Sequence, residues 1–163
     1  MIEHQSMILV IDNDPEILMA LESLLERQGY QVITAYGGKV ALKLLPESDF
    51  DLVLLDDYLP DVPSGVVVKA LLRMRPHLPF ILMQPTPPDH ADRSHSLRLG
   101  ASGIVCKRAH HEIKDVVSEC LKNRALDRRG RFLPYSKSLM MNEVGQGPAT
   151  PQHVNELTAI DRR

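Results

Sequence analysis

The sequence predicts an α/β protein, a five-stranded parallel sheet wound on both faces by helices and followed by a C-terminal tail. Three observations point there. Short apolar runs such as Leu52-Val53-Leu54-Leu55 are continuous rather than alternating, which is the pattern of strands buried on both faces. They alternate with segments whose apolar residues recur at helical spacing, as crossover connections over a parallel sheet require. Three of the runs end in a charge, at Asp12, Asp56 and Lys107. Such positions border the crevice where open α/β sheets place their ligands.

Each element has its own local reason. Residues 7–11 form a short buried strand, and Asp12-Asn13-Asp14-Pro15 is a strand-to-helix turn with proline in a helix-opening position. Ile17, Leu18, Leu21, Leu24 and Leu25 make a helical stripe, closed by Gly29. The β-branched stretch 30–35 is a second strand. Gly37-Gly38 turns into a short helix with Val40, Ala41, Leu44 and Leu45 on one face, ended by Pro46. Residues 51–56 are the third strand. Ser64-Gly65 is a cap before Val66, Val67, Ala70, Leu71 and Met74. Pro76 and Pro79 bracket the turn into a fourth strand, 80–83, and Pro85-Thr86-Pro87-Pro88 is rigid loop. The helix over 89–99 has only a thin stripe of Ala91, Leu97 and Leu99. A fifth strand runs to Lys107, and Ile113, Val116, Val117, Cys120 and Leu121 mark a last amphipathic helix.

Composition narrows the function classes. Apolar content of 44% and charged content of 25% are those of a globular protein. A net charge of −2 gives no reason to expect nucleic acid or an anionic membrane as partner of the whole chain. Two cysteines, Cys106 and Cys120, fit a reducing compartment, and the N-terminus lacks the pattern of a signal peptide, so a cytoplasmic protein is expected. Helical and strand periodicity stops near Arg124. The expected organisation is one domain over 7–123 and a basic, Pro/Gly/Ser-containing tail over 124–163, read as largely disordered. His110-His111, and His90 with His95, lack an accompanying cysteine or acid framework and read as solvated helix residues. Cys106 beside Lys107 reads as a buried sheet residue rather than a reactive thiol.

Taken together, Ile8-Leu9-Val10-Ile11-Asp12-Asn13-Asp14-Pro15-Glu16, Asp51-Leu52-Val53-Leu54-Leu55-Asp56 with Leu59-Pro60 and Gly65, and Gly100-Ala101 with Lys107 resemble the receiver domain of two-component response regulators. The resemblance covers residue 7 to about 121. It implies the flavodoxin-like strand order 2-1-3-4-5 and a histidine kinase or phosphotransfer protein that passes a phosphoryl group to Asp56. Leu59-Pro60 follows Asp56 at the family's distance, while Gly65 comes one residue late, as if Pro63 were inserted. The chemistry has a physical rationale of its own. A carboxylate attacks a phosphoryl donor usefully only if the charge on the oxygens is neutralised. Mg²⁺ does this through oxygen ligands. By resemblance these are Asp12, Asp56, the residue at Asn13 and the Tyr58 backbone carbonyl, and Lys107 is the cation that binds a phosphoryl oxygen.

The sequence also departs from that pattern. The second acid at the end of the first strand is replaced by Asn13, which removes a negative charge and should weaken Mg²⁺ binding. Asp57 is acidic, but a persisting strand pleat would turn it away from Asp56. Gln84 stands where the family has a hydroxyl residue that binds the phosphoryl group, and Pro85 after it has no backbone N–H to offer. The aromatic switch position is Ile104, and the family's proline after the lysine is Arg108. A cis peptide there would cost roughly 3–4 kcal/mol instead of about 1, so a trans bond is expected.

The function expected is therefore a receiver that accepts a phosphoryl group on Asp56, with Lys107 and Gln84 as phosphoryl-binding residues, and signals through contacts with a downstream protein. The alternative is a phosphorylation-independent pseudo-receiver acting as an interaction module. No enzyme is expected: a hydrolase working through an aspartyl-phosphate would want a second aspartate where Tyr58 stands.

Overall fold

A computed structural model of the chain describes residues 5–126. Within them the elements run β1 (Met7–Asp12), α1 (Pro15–Glu26), β2 (Gln31–Tyr36), α2 (Gly38–Leu44), β3 (Leu52–Asp56), α3 (Ser64–Met74), β4 (Phe80–Gln84), α4 (His90–Arg98), β5 (Gly103–Cys106) and α5 (His110–Leu126). The strands form one sheet in the order β2-β1-β3-β4-β5, and every neighbouring pair is parallel. The expected fold class and strand order are both present. Helix α5 runs past Asn123 to Leu126, and the tail expected beyond lies outside the described residues. Among the described residues, no helix is long and apolar enough to cross a membrane.

The pleat splits each continuous apolar run between two cores. Leu9, Ile11, Val53, Leu55, Phe80 and Leu82 pack with residues of α2 and α3 on one face. Ile8, Val10, Leu52, Leu54, Ile81 and Met83 pack under α1 and α5 on the other. The runs are continuous in sequence because both sides of the sheet are covered.

Local chemistry sets the ends of the elements. Asp14 caps α1 by accepting the Glu16 N–H at 2.9 Å, with Pro15 as the first helical residue. Gly29 follows that helix at φ +87°, a left-handed conformation suited to glycine. Asp51 lies just before β3 and binds Met7 twice. Its carboxylate accepts the Met7 N–H at 2.9 Å, and its own N–H donates to the Met7 carbonyl at 2.7 Å.

Some helical faces differ from expectation. Val40, Val66, Met74 and Leu97 are exposed, and α3 buries Val67, Val68 and Leu71 instead. The run Val66-Val67-Val68 carries no phase information, so the spacing allowed a rotation of the stripe by one residue. Ser64 does not cap α3, whose N-cap is Pro63. The Ser64 hydroxyl donates instead to Asp57 at 3.4 Å. Helix α4 is stranger, since its sole buried residue is Ser96. In place of an apolar stripe it has a capping box, in which the Asp89 and Asp92 side chains accept each other's backbone N–H at 2.8 and 2.9 Å.

Candidate functional site

The order of the strands reverses between β1 and β3, and the two buried acids lie at that switch point. Ile11 pairs in register with Leu55, which brings Asp12 level with Asp56 on the α1/α5 face. Lys107 follows β5, two residues beyond Val105 on the same face, and its stem reaches across the end of β4. Its ammonium donates to Asp56 Oδ2 at 2.9 Å and to Asp12 Oδ2 at 3.0 Å. Both acids are sealed from solvent, at 0% and 1% exposure. One lysine thus bridges two carboxylates that burial would otherwise leave without a counter-charge.

The remaining carboxylate oxygens face the backbone. Asp12 Oδ1 accepts the Asp14 N–H at 2.8 Å, and Asp56 Oδ1 accepts the Tyr58 N–H at 3.3 Å. Burial holds the Asp56 carboxyl above its ordinary range despite the Lys107 hydrogen bond, and the charge of Asp12 pushes the same way. For Lys107, burial pulls the pKa down, but hydrogen bonds to Asp56 and Asp12 outweigh it and the net shift is upward. The ammonium is therefore a persistent cation. Two carboxyl groups thus share one ammonium.

The other expected site residues fall in different places. Asn13 is half-buried on the loop after Asp12, and the Tyr58 side chain is exposed while its backbone borders Asp56. Asp57 turns from the pocket toward Ser64, as the pleat dictates. Ile104 is buried in the α2/α3 core as an ordinary aliphatic residue. No cis peptide occurs among the described residues, so the bond between Lys107 and Arg108 is trans as expected. Cys106 is buried, and its thiol donates to the Pro85 carbonyl at 3.4 Å. His111 pairs with Asp115 one turn along α5, both exposed.

Gln84 requires a correction. It was expected to face a phosphoryl group on Asp56, yet its amide donates to Asp92 on α4 at 3.0 Å. The reason is parity. β4 continues through Gln84, and because Met83 faces the α1/α5 core beside Asp56, the next side chain must face the opposite way. The Gln84 amide, with the Asp89 N–H, holds the Asp92 carboxyl below its ordinary range.

Two features escaped the sequence reading. Asp61, in the loop after β3, accepts the N–H groups of Gly38 and Lys39, each at 2.9 Å, tying that loop to the start of α2. Those bonds, the Lys39 one foremost, lower its pKa. The approach is close: a Cβ on Gly37 would stand 2.9 Å from the Asp61 carboxylate, and Gly37 itself sits at φ +95°. Nothing local in the sequence signals this contact. The α4 capping box, by contrast, was visible as acids three residues apart, at Asp89 and Asp92.

The oxygen donors at this rim suit a hard cation in kind. Among the described residues, however, no three His, Cys, Asp or Glu side chains are grouped to hold a metal ion. Asn13, half-buried beside Asp12, offers an amide where a third carboxylate would strengthen such a hold.

Comparisons with known proteins agree with this geometry. The family model for the response regulator receiver domain matches residues 8–118. Response regulator SaeR of Staphylococcus epidermidis is 36% identical over 100 residues, covering 61% of this chain and 43% of that protein. SaeR of Staphylococcus aureus is 33% identical over the same length, with the same coverage. The chain therefore matches less than half the length of these curated relatives. Among solved structures, a CheY-like receiver domain from Methanospirillum hungatei superposes with a TM-score of 0.69 at 24% identity, covering 76% of this chain and 98% of that one. The response regulator TrrA of Thermotoga maritima, solved in complex with Mg²⁺-BeF, gives a TM-score of 0.64 at 28% identity, covering 71% and 99%. A parallel sheet in the order 2-1-3-4-5, two acids and a lysine meeting at its switch point, and a family match across nearly all the described residues place this chain in the response regulator receiver domain family.

Proposed function

We propose that this receiver domain accepts a phosphoryl group on Asp56 from a histidine kinase or phosphotransfer protein in the cytoplasm. It then signals by protein contacts rather than by enzymatic turnover. The supporting observation is the Lys107 ammonium 2.9 Å from Asp56 Oδ2 at the end of β3. In the transfer, an Asp56 oxygen forms a new P–O bond as the donor's P–N bond breaks, and that electron pair returns to the donor imidazole. Lys107 is placed to keep its hold on the pocket while a phosphoryl oxygen becomes its partner. Asp12 keeps a counter-charge close enough to orient the ammonium.

Mg²⁺ would be held by Asp12, Asp56, the Asn13 side-chain carbonyl and the Tyr58 carbonyl, and when bound it supplies neutralisation of charge on the phosphoryl oxygens. Asn13 makes that hold weaker than a third carboxylate would. In the proposal Gln84 does not bind the phosphoryl group, since its amide is engaged with Asp92.

The test is intact-mass measurement after incubation with Mg²⁺ and a small acyl-phosphate donor. One phosphoryl adduct is expected on the wild type and none on Asp56→Asn. Absence of an adduct on the wild type at any Mg²⁺ concentration would leave the chain a phosphorylation-independent interaction module.

A further inference from the structure

The loop between β3 and α3 carries the Tyr58 peptide, whose N–H donates to Asp56 Oδ1 at 3.3 Å. Further along, the same loop is tied to the first turn of α2. Asp61 Oδ1 accepts the Gly38 N–H and Oδ2 the Lys39 N–H, each at 2.9 Å. A carboxylate that spans two successive N–H groups is fixed in rotation as well as in distance, and both bonds are charge-assisted. The turn it grips is itself anchored to the acid centre, since the Gly37 N–H donates to the Asp12 carbonyl at 3.2 Å. Glycine is needed for this approach: a Cβ on Gly38 would stand 2.9 Å from Val62 Cβ and 3.4 Å from Leu59 Cδ1. Leu59 is buried in the α2/α3 core, so the loop is held by an apolar side chain and a carboxylate on the same side of Tyr58.

We propose that Asp61 is a positioning residue for the acid pocket: by clamping the loop to α2 it keeps the Tyr58 peptide at the edge of Asp56, its N–H on the carboxylate and its carbonyl available to a divalent cation. The loop contains the extra residue Pro63, and a longer loop has more conformational freedom to lose when a ligand binds. Fixing it beforehand improves affinity by removing that cost. With Asn13 in place of a carboxylate, more of the hold on the cation falls to the Tyr58 carbonyl. The inference rests on the reading of Asp56 as a phosphoryl acceptor assisted by Mg²⁺, and it names a residue that reading does not use.

Two measurements on the full chain test it: residue-resolved amide exchange without metal, and Mn²⁺ affinity by electron paramagnetic resonance, with Mn²⁺ as the probe. In Asp61→Ala, exchange at Tyr58 should accelerate at least about fivefold while β1, β3 and β4 keep wild-type protection. Mn²⁺ binding should weaken about three- to tenfold. Asp61→Asn, which keeps one acceptor oxygen, should fall between. Arg75→Ala removes the bonds to Asp49 and to the Ser48 carbonyl at the other end of α3, and should leave both readings at wild type. Wild-type exchange at Tyr58 in Asp61→Ala would overturn the proposal. So would Mn²⁺ affinity that stays unchanged, or that falls equally in Arg75→Ala. If the wild type binds no Mn²⁺, the metal reading fails by itself, and exchange at Tyr58 alone decides for or against Asp61.

Discussion

The rim at the C-terminal ends of the strands has two unlike sides. On one, β1, β3 and β5 deliver Asp12, Asp56 and Lys107 to a single buried ionic centre. On the other, β4 ends in Gln84, which leaves that centre and fastens α4. Both sides are made of strands in the same sheet, and what separates them is parity. Asp56 is level with Met83, so the glutamine one residue later projects from the opposite face. The ionic centre is thus held together across three elements, whereas on the other side a neutral donor meets one carboxylate of α4. A helix with a full apolar stripe, such as α1 with five buried residues, needs no such device.

The largest expected effect tests the charged side. Lys107→Ala leaves two carboxylates at 0% and 1% exposure with no cation between them. Orphaning a buried charge in this way should cost about 3–5 kcal/mol, read from urea denaturation at pH 7. A loss below about 1 kcal/mol would mean that water already solvates the pocket and that the two sides differ little.

A smaller effect should appear in alkali. The Lys107 pKa is raised above its ordinary 10.5 in the folded protein. The folded state therefore keeps its proton to higher pH than the unfolded chain does. That contribution is present in full below about 10.5 and is lost as pH rises through the raised value. Wild-type stability should fall more steeply over this window than that of Lys107→Met, measured by chemical denaturation at a series of pH values. Equal slopes would contradict the ion pairing.

The smallest effect tests the other side. Leu97, the largest apolar residue on α4, is 38% exposed. Leu97→Ala should change stability by no more than about 0.5 kcal/mol. A loss several times larger would show that α4 is held by apolar contact after all.

The charged side was the more legible in sequence. Asp12, Asp56 and Lys107 each terminate a continuous apolar run, and parallel strands with crossovers put all such ends at one mouth. The neutral side was not legible, because the direction of Gln84 depends on whether β4 stops at Met83 or continues one residue, and a single step of a period-2 element reverses the side chain. The turn of α3 was obscured by three consecutive valines, which fit several phases of a helix equally well. The Asp61 contact with α2 joins residues far apart in the chain through backbone N–H groups, which carry no side-chain signature.

The lysine that quiets the two acids lies 95 residues after the first of them. During synthesis, then, all five strands, with Asp12 and Asp56 among them, leave the ribosome before their neutralising partner does. A nascent chain that has reached only β4 must keep Asp12 and Asp56 in contact with water, and the mouth of the sheet can close only when its last strand arrives. Maturation of the acid pocket is in this way tied to completion of the domain.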